Sequence, residues 1–140
     1  MNAAWAKEWA ANFANLDKLM DMYADDAQFE DVIIAHKESG KAEIKKFFTA
    51  AGNPAYAENT FAAVGYSGNA AGGAVEWTWQ AKHAAGKILG VPAKGKETNT
   101  RGVSVLTFQN GKIATQRDCW DAAAVLRQLG TIKQLATAIV

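Results

Sequence analysis

The sequence has few of the residues that cross-link a chain or hold metal ions. Its 140 residues include one cysteine, Cys119, and two histidines. A single cysteine excludes an internal disulfide, so the chain fits a reducing compartment and we expect a cytoplasmic location. One cysteine and two histidines also make a structural zinc site unexpected, and the sequence predicts no metal site and no cofactor.

An excess of charge of either sign is lacking as well. Lysine and arginine number 15 against 14 aspartates and glutamates, a formal net charge of +1. Nucleic-acid-binding proteins carry a basic excess, so no nucleic-acid partner is expected. No run approaches the roughly 18 apolar residues of a membrane span, and no signal peptide is recognisable, so no membrane association is expected. The length fits one domain over residues 1–140.

Aromatic residues, in contrast, are abundant. Five tryptophans, six phenylalanines and three tyrosines make up 10% of the chain. Trp77 and Trp79 alternate with polar residues and therefore share one face of a predicted strand, with His83 at the end of that face. Such a face is either ordinary core, a dimer interface or the wall of a pocket for a planar apolar ligand. His83 is either an acid–base group or a histidine hydrogen-bonded at the rim.

Hydrophobic spacing divides the chain into a helical first part and a strand-rich second part. Apolar residues recur every three or four positions over 3–24, with a break at 15–17 and an end at Asp25-Asp26. Further helices are predicted at 41–51 and 122–138, and strands at 27–34, 57–66, 73–84, 97–109 and 112–121. Asn110-Gly111 is a strong hairpin signal. Helices followed by antiparallel strands indicate an α+β fold rather than alternating βαβ units.

Two acidic residues stand out against this pattern. Alternation places Asp31 on the same face as Phe29 and Ile33, where a carboxylate is costly unless it is paired or lines a cavity. Burial would also suit it to general acid–base chemistry, although it could instead reach water or cap a turn. Residues 117–121 carry Asp118 and Asp121 around Trp120, and Asp121 is equally suited to cap the following helix.

These segments resemble a known family. Residues 23–31 (Tyr-Ala-Asp-Asp-Ala-Gln-Phe-Glu-Asp) and 39–44 are similar to the opening of the nuclear-transport-factor-two-like fold. Residues 110–113 and 117–121 are similar to its final hairpin, and 128–130 to the tail of SnoaL-like polyketide cyclases. The resemblance implies a cone-shaped, strongly curved antiparallel sheet wrapped around N-terminal helices, a deep hydrophobic pocket, and a homodimer.

The same resemblance assigns roles to the two aspartates. Asp31 matches the general base of ketosteroid isomerase and the water-positioning asparagine of limonene-type epoxide hydrolases. Asp118 matches the water-activating aspartate of those hydrolases and the catalytic aspartate of the cyclases. The isomerase's oxyanion-hole acid falls at Ser104, and the hydrolases' arginine and second aspartate fall near Trp79 and Ala81. No family mechanism therefore transfers whole, and epoxide hydrolysis is disfavoured.

The two aspartates share a pocket only if one hairpin is irregular. A two-residue turn at Asn110-Gly111 followed by a regular ladder pairs Ser104 with Arg117 and turns Asp118 away from the side of Ser104. We therefore predict a β-bulge after Ile113, a feature that often occurs beside active sites.

The leading hypothesis is a cofactor-independent acid–base enzyme of isomerase, cyclase or lyase type. It would transfer a proton α to a carbonyl in a hydrophobic cyclic or aromatic small molecule. The alternatives are a ligand-binding pocket without turnover and a dimeric interaction module. The candidate residues are catalytic Asp31 and Asp118, the possible acid–base or hydrogen-bonding groups His83, Tyr23, Ser104 and Asp121, and the substrate-binding Trp9, Phe29, Trp77, Trp79 and Trp120.

Overall fold

The computed structural model describes residues 1–52 and 56–133. The chain begins with α1 (Ala3–Ala11), a 3₁₀ turn (Asn12–Ala14) and α2 (Leu16–Met20). Asn15 is extended and its side chain caps α2 by accepting the Lys18 N–H, which confirms the predicted helix break. The predicted helix end at Asp25-Asp26 is wrong, because both residues lie inside the first strand.

Eight strands and two further helices follow within these described ranges. The helices are α3 (Lys41–Gly52) and α4 (Ala122–Gln128). The strands are β1 (Tyr23–Asp31), β2 (His36–Ser39), β3 (Tyr56–Gly68), β4 (Gly72–His83), β5 (Lys87–Ile88), β6 (Val91–Pro92), β7 (Glu97–Gln109) and β8 (Lys112–Trp120). The four long strands of the second half are confirmed, whereas β2, β5 and β6 were not predicted. Residues 134–138 of the predicted last helix lie outside the described residues.

Six of the strands form one curved sheet in the order β2-β1-β8-β7-β4-β3. Every neighbouring pair is antiparallel except β1 and β8, which run parallel. Strands β5 and β6 make a separate small hairpin. The predicted α+β fold with a strongly curved sheet and N-terminal helices is confirmed.

The β7–β8 hairpin contains the predicted bulge. Asn110 and Gly111 have φ values of 52° and 75°, the left-handed pair that a two-residue hairpin turn requires. Phe108 pairs with Ile113, but the register then shifts by one residue. Ser104 consequently pairs with Asp118 instead of Arg117, and the bulge brings both side chains to the inner face.

The main core lies between the helices and the inner face of this sheet. Trp9 of α1, Leu19 of α2 and Ile44 of α3 have no exposed surface and pack against inward residues of β4 and β7, such as Val75 and Leu106. A smaller cluster of Ala93, Val125 and Leu129 packs α4 against the segment that carries β5 and β6. Within the described residues, no helix is long and apolar enough to cross a membrane.

Candidate active site

A cavity of about 650 Å³ lies between the inner face of the sheet and the helices. Its walls are rich in aromatic residues, and the rings pack on one another: the centroids of Phe13 and Phe61 are 4.5 Å apart, and those of Phe61 and Trp77 are 4.9 Å apart. Four elements of the first half and two of the second supply the aromatic lining: Phe13, Phe29, Phe47, Phe48, Tyr56, Phe61, Trp77, Trp79 and Trp120. This lining suits a flat apolar ligand.

Asp31, the last residue of β1, lies in the cavity wall. Its carboxylate accepts the indole N–H of Trp120 at 3.0 and 3.1 Å and the backbone N–H of Ile33 at 3.0 Å. Asp31 therefore both caps the turn that follows β1 and lines the cavity, so the two alternatives weighed from the sequence coexist. Ile33 was predicted to share its face but lies in that turn and is 42% exposed, because the strand ends at Asp31.

Asp118 lies on β8 in the same cavity wall. Its Oδ1 accepts the Ser104 hydroxyl at 2.6 Å, and the Gln116 amide N–H group lies 2.9 Å from Oδ1 and 3.1 Å from Oδ2. Burial raises the pKa of Asp118 from 3.8 to about 7; hydrogen bonds from Ser104 and Gln116 oppose the rise, and the nearby charge of Asp31 adds to it. Such a group exchanges protons near neutral pH.

Two buried hydrogen-bond chains end on Asp118. In one, the indole N–H of Trp77 donates to the Ser104 hydroxyl at 2.9 Å, and that hydroxyl donates to Asp118. In the other, Trp9 donates to the hydroxyl of Tyr23 at 3.3 Å, Tyr23 donates to Oε1 of Gln116, and Gln116 donates to Asp118. Asp118 is therefore held, directly or through these chains, by side chains from β4, β7, β8, β1 and α1.

Gly102 is the reason that Trp77 can reach Ser104. Trp77 of β4 pairs with Gly102 of β7, and the indole ring lies over the glycine. A Cβ atom at residue 102 would lie 2.5 Å from Cη2 of Trp77 and 2.7 Å from the carbonyl oxygen of Cys119, too close for either. A glycine at residue 102 is thus required for the hydrogen bond from Trp77 to Ser104.

The family model for SnoaL-like polyketide cyclases matches residues 2–129. The chain belongs to the SnoaL-like polyketide cyclase family. The family resemblance seen in the sequence motifs is therefore confirmed over nearly the whole chain. Comparison with curated proteins found no match.

Solved structures share the SnoaL-like fold at low sequence identity. AclR from Streptomyces galilaeus, a candidate hydroxylase, superposes with a TM-score of 0.75 at 19% identity, covering 99% of this chain and 93% of AclR. A candidate SnoaL-like polyketide cyclase from Shewanella putrefaciens gives 0.75 at 19%, covering 89% and 93%. A Catenulispora acidiphila protein with a ketosteroid isomerase-like fold, in complex with trimethylamine, gives 0.74 at 17%, covering 94% and 96%. At these identities the likeness establishes the fold of this SnoaL-like chain and no more.

Several residues expected at the site of this SnoaL-like protein do not line the cavity. His83 continues the face of Trp77, but β4 runs on past the cavity, and the buried imidazole is bonded to the Thr98 hydroxyl at 2.9 Å. Burial lowers the pKa of His83, which makes it a neutral structural group at neutral pH. Asp121 caps α4 by accepting the Ala124 N–H at 2.8 Å.

Trp9 is the third correction, since it does not line the cavity. Its ring packs behind the lining, 5.1 Å from Phe13 and 5.6 Å from Phe61 between centroids. Tyr23 is likewise behind the lining, and burial raises its pKa above the ordinary range, which keeps its hydroxyl protonated. The other predicted binding residues, Phe29, Trp77, Trp79 and Trp120, do line the cavity.

Sequence reasoning missed Gln116, the polar lining residues Thr49, Asn59 and Lys87, and several aromatic ones. Gln116 lies two positions before Asp118 on the same face of β8 and is 1% exposed. A polar side chain two residues from a candidate acid was the signal that could have found it. The lining residues Phe13, Phe47 and Phe48 come from helical segments, where aromatic residues at core spacing look the same whether or not a cavity adjoins them.

Proposed function

We propose that this protein is a cofactor-independent acid–base enzyme that moves a proton next to the carbonyl group of a hydrophobic cyclic or aromatic small molecule. The observation that carries the proposal is a pair of carboxyl groups with different surroundings in one aromatic cavity. Two titratable groups whose environments differ in this way are suited to opposite roles, one as acid and one as base.

The hydrogen bonds favour a particular division of roles. Asp31 accepts N–H groups from Trp120 and the following turn, an arrangement that suits a carboxylate and therefore the base that removes the proton from carbon. Asp118, with its pKa raised to about 7 by burial, suits the acid that donates a hydrogen bond or a proton to the carbonyl oxygen as an enolate develops. Returning the proton from Asp31 to another carbon completes an isomerisation. In a ring closure the enolate carbon instead attacks a second carbonyl carbon of the substrate, and the proton goes to the alkoxide oxygen that forms there.

The walls support the apolar substrate class. Apart from the two aspartates, the lining is mostly apolar and rich in aromatic rings, of which Phe29 and Trp77 are buried. A flat ring system would gain contact with these rings as well as burial of its own apolar surface. A carbonyl on that ring system would have to approach Asp118 for the proposed chemistry.

Deuterium exchange tests this proposal without knowledge of the physiological product. The protein is incubated in D₂O with aromatic and polycyclic ketones, beginning with 2-tetralone, and deuterium at the α carbon is followed by mass spectrometry. Asp31→Asn and Asp118→Asn should each slow exchange by about 10²-fold or more, the usual contribution of a general acid or base. Asp121→Asn, an aspartate outside the cavity, is the matched control and should exchange at the wild-type rate. Equal rates for all four proteins would refute the acid–base assignment.

Binding without turnover is a second candidate, and one observation favours it. The indole N–H groups of the lining tryptophans already donate to protein acceptors: Trp77 to Ser104, Trp79 to Asn59 at 2.6 Å, and Trp120 to Asp31. None of the three is free to stabilise an oxyanion. A ketone that binds tightly while its α protons do not exchange would support this second function.

A further inference from the structure

Gln116 occupies a position in which its orientation matters chemically. Its side chain lies buried between the hydroxyl of Tyr23 and the carboxyl group of Asp118. An amide has an N–H end that donates and an oxygen end that accepts. If the N–H end faces Asp118 it stabilises the carboxylate, whereas the oxygen end would stabilise the protonated acid. The rotation of this amide therefore influences when Asp118 gives up its proton.

The orientation is determined two side chains away from Asp118. The indole N–H of Trp9 can only donate, and it points at the Tyr23 oxygen from 3.3 Å. The hydroxyl hydrogen of Tyr23 is then directed at Oε1 of Gln116. A rotated amide would bring a second donor to the Tyr23 oxygen and leave the Tyr23 hydroxyl hydrogen without its acceptor. Trp9 and Tyr23 are both fully buried, so water cannot replace that lost bond and the rotated amide is disfavoured.

We propose that Trp9 and Tyr23 are positioning residues that lock the Gln116 amide with its N–H group toward Asp118. The inference rests on the proposed function only in treating Asp118 as the group that titrates during turnover. The lock also distinguishes the two carboxyl oxygens. Among the described residues, Oδ1 accepts the Ser104 hydroxyl at 2.6 Å and the Gln116 amide N–H at 2.9 Å, whereas Oδ2 has only the longer 3.1 Å contact to Gln116. Oδ2 is therefore the oxygen that carries the exchangeable proton.

With its N–H group held toward Asp118, the Gln116 amide lowers the pKa of Asp118 and so opposes the rise that burial causes. Of the titratable groups near Asp118, Asp31 and Tyr23 face it from β1, and Lys87 of β5 lines the same cavity. On β8 itself, Arg117 alternates to the outer face. If the amide were free to rotate, its oxygen could accept a hydrogen bond from protonated Asp118. The carboxyl group would then hold its proton to higher pH.

Removing one hydroxyl group tests the lock. In Tyr23→Phe, Trp9 loses its acceptor and Gln116 loses its donor, while Asp118 keeps its own contacts. The titration of Asp118 is followed by ¹³C NMR of the carboxyl carbon, assigned by its disappearance in Asp118→Asn. We expect the pKa of Asp118 to rise by about one unit or more, the scale of a lost hydrogen bond to a carboxylate. The basic limb of the deuterium-exchange profile should move in the same direction.

The matched control is Tyr66→Phe. Tyr66 also packs against the core, but its buried hydroxyl has no hydrogen-bond partner among the described residues. Removing it should leave the Asp118 titration at the wild-type value. An unchanged pKa in Tyr23→Phe, or an equal shift in both variants, would overturn the lock. A general loosening of the core would move both.

Two further variants test the proposal if Tyr23→Phe does not fold. Trp9→Phe removes the indole N–H that donates to Tyr23 but keeps an aromatic ring. Gln116→Met removes the amide itself. Both should raise the pKa of Asp118, and no shift in either would contradict the proposal. The NMR titration needs no substrate. A wild-type protein that exchanges no ketone protons, while Tyr23→Phe still shifts Asp118, would refute the proposed function and leave the lock standing.

Discussion

At the scale of single residues, the site depends on a carboxyl group held where ionisation is costly. Asp118 is half-buried, and the two side chains of the described residues that donate to it, Ser104 and Gln116, have at most 1% exposure. A protonated Asp118 avoids the cost of a buried charge, which is why its pKa rises to about 7. The groups that make it useful as an acid therefore also link the stability of the fold to pH.

The first prediction concerns that linkage. Because the folded state binds the Asp118 proton more tightly than the unfolded chain, the stabilisation is complete below the ordinary pKa of 3.8 and is lost as the pH rises through about 7. Each unit of difference corresponds to about 1.4 kcal/mol. Asp118→Asn cannot ionise, so its free energy of unfolding relative to wild type should increase steadily from pH 4 to pH 7. Urea unfolding at several pH values measures this difference, and a difference independent of pH would contradict it.

The second prediction concerns Gly102. An added methyl group meets the Trp77 ring and the Cys119 carbonyl, so Gly102→Ala should overpack this site and lower the free energy of unfolding by about 1–3 kcal/mol. Displacement of the ring should also weaken its bond to Ser104. Gly65→Ala is the matched control, because a Cβ there would lie 3.6 Å from Glu76, an ordinary contact. Equal stability of the two variants in urea would show that the indole can move without cost.

At the scale of elements, the sequence predicted local features better than pairings between distant segments. The turn at Asn110-Gly111 and the following bulge could be predicted because the turn chemistry fixes the register and the positions of Ser104 and Asp118 then demand a shift. The parallel pairing of β1 with β8 joins segments about ninety residues apart, and no local pattern encodes it. Strand β2 was missed because four polar-rich residues carry no clear alternation.

Alternation also had a limit within β4. It correctly placed Val75, Trp77 and His83 on the inner face, since all three are buried. It could not show where along the strand the cavity ends. His83 stacks obliquely beside Tyr56, with ring centroids 5.2 Å apart, at the far end of the strand. Alternation with a period of two predicts which side chains of a strand point inward. Where along the strand a cavity lies depends on which part of the sheet the helices cover.

The third prediction separates the helix cap from the catalytic role at Asp121. Asp121→Ala removes the acceptor of the Ala124 N–H and should lower the free energy of unfolding by about 0.5–2 kcal/mol, because α4 loses its N-cap. Asp121→Ser retains a capping oxygen and should recover most of that loss. Both should exchange ketone protons at the wild-type rate. A large fall in exchange with unchanged thermal stability would instead place Asp121 at the reacting centre.

At the scale of the whole molecule, the cavity is a product of long-range packing. Its aromatic lining is assembled from the 3₁₀ turn, α3 and four strands of the large sheet, so no single segment of sequence displays it. Composition showed only that aromatic residues were abundant, and periodicity assigned them to faces. The family resemblance supplied the expectation of a deep pocket. The expected homodimer stays a prediction, to be measured by sedimentation.

The final prediction follows from the different surroundings of two tryptophans. Trp79 lines the cavity, whereas Trp5 packs edge-on against Phe108, with centroids 5.2 Å apart, and does not line it. A flat aromatic ketone should therefore lose affinity in Trp79→Phe, because part of its contact area disappears, and keep its affinity in Trp5→Phe. We expect the Kd to rise about tenfold in the first variant, or about 1.4 kcal/mol. Isothermal titration calorimetry measures both constants, and equal weakening in the two variants would mean that the ligand binds outside the aromatic cavity.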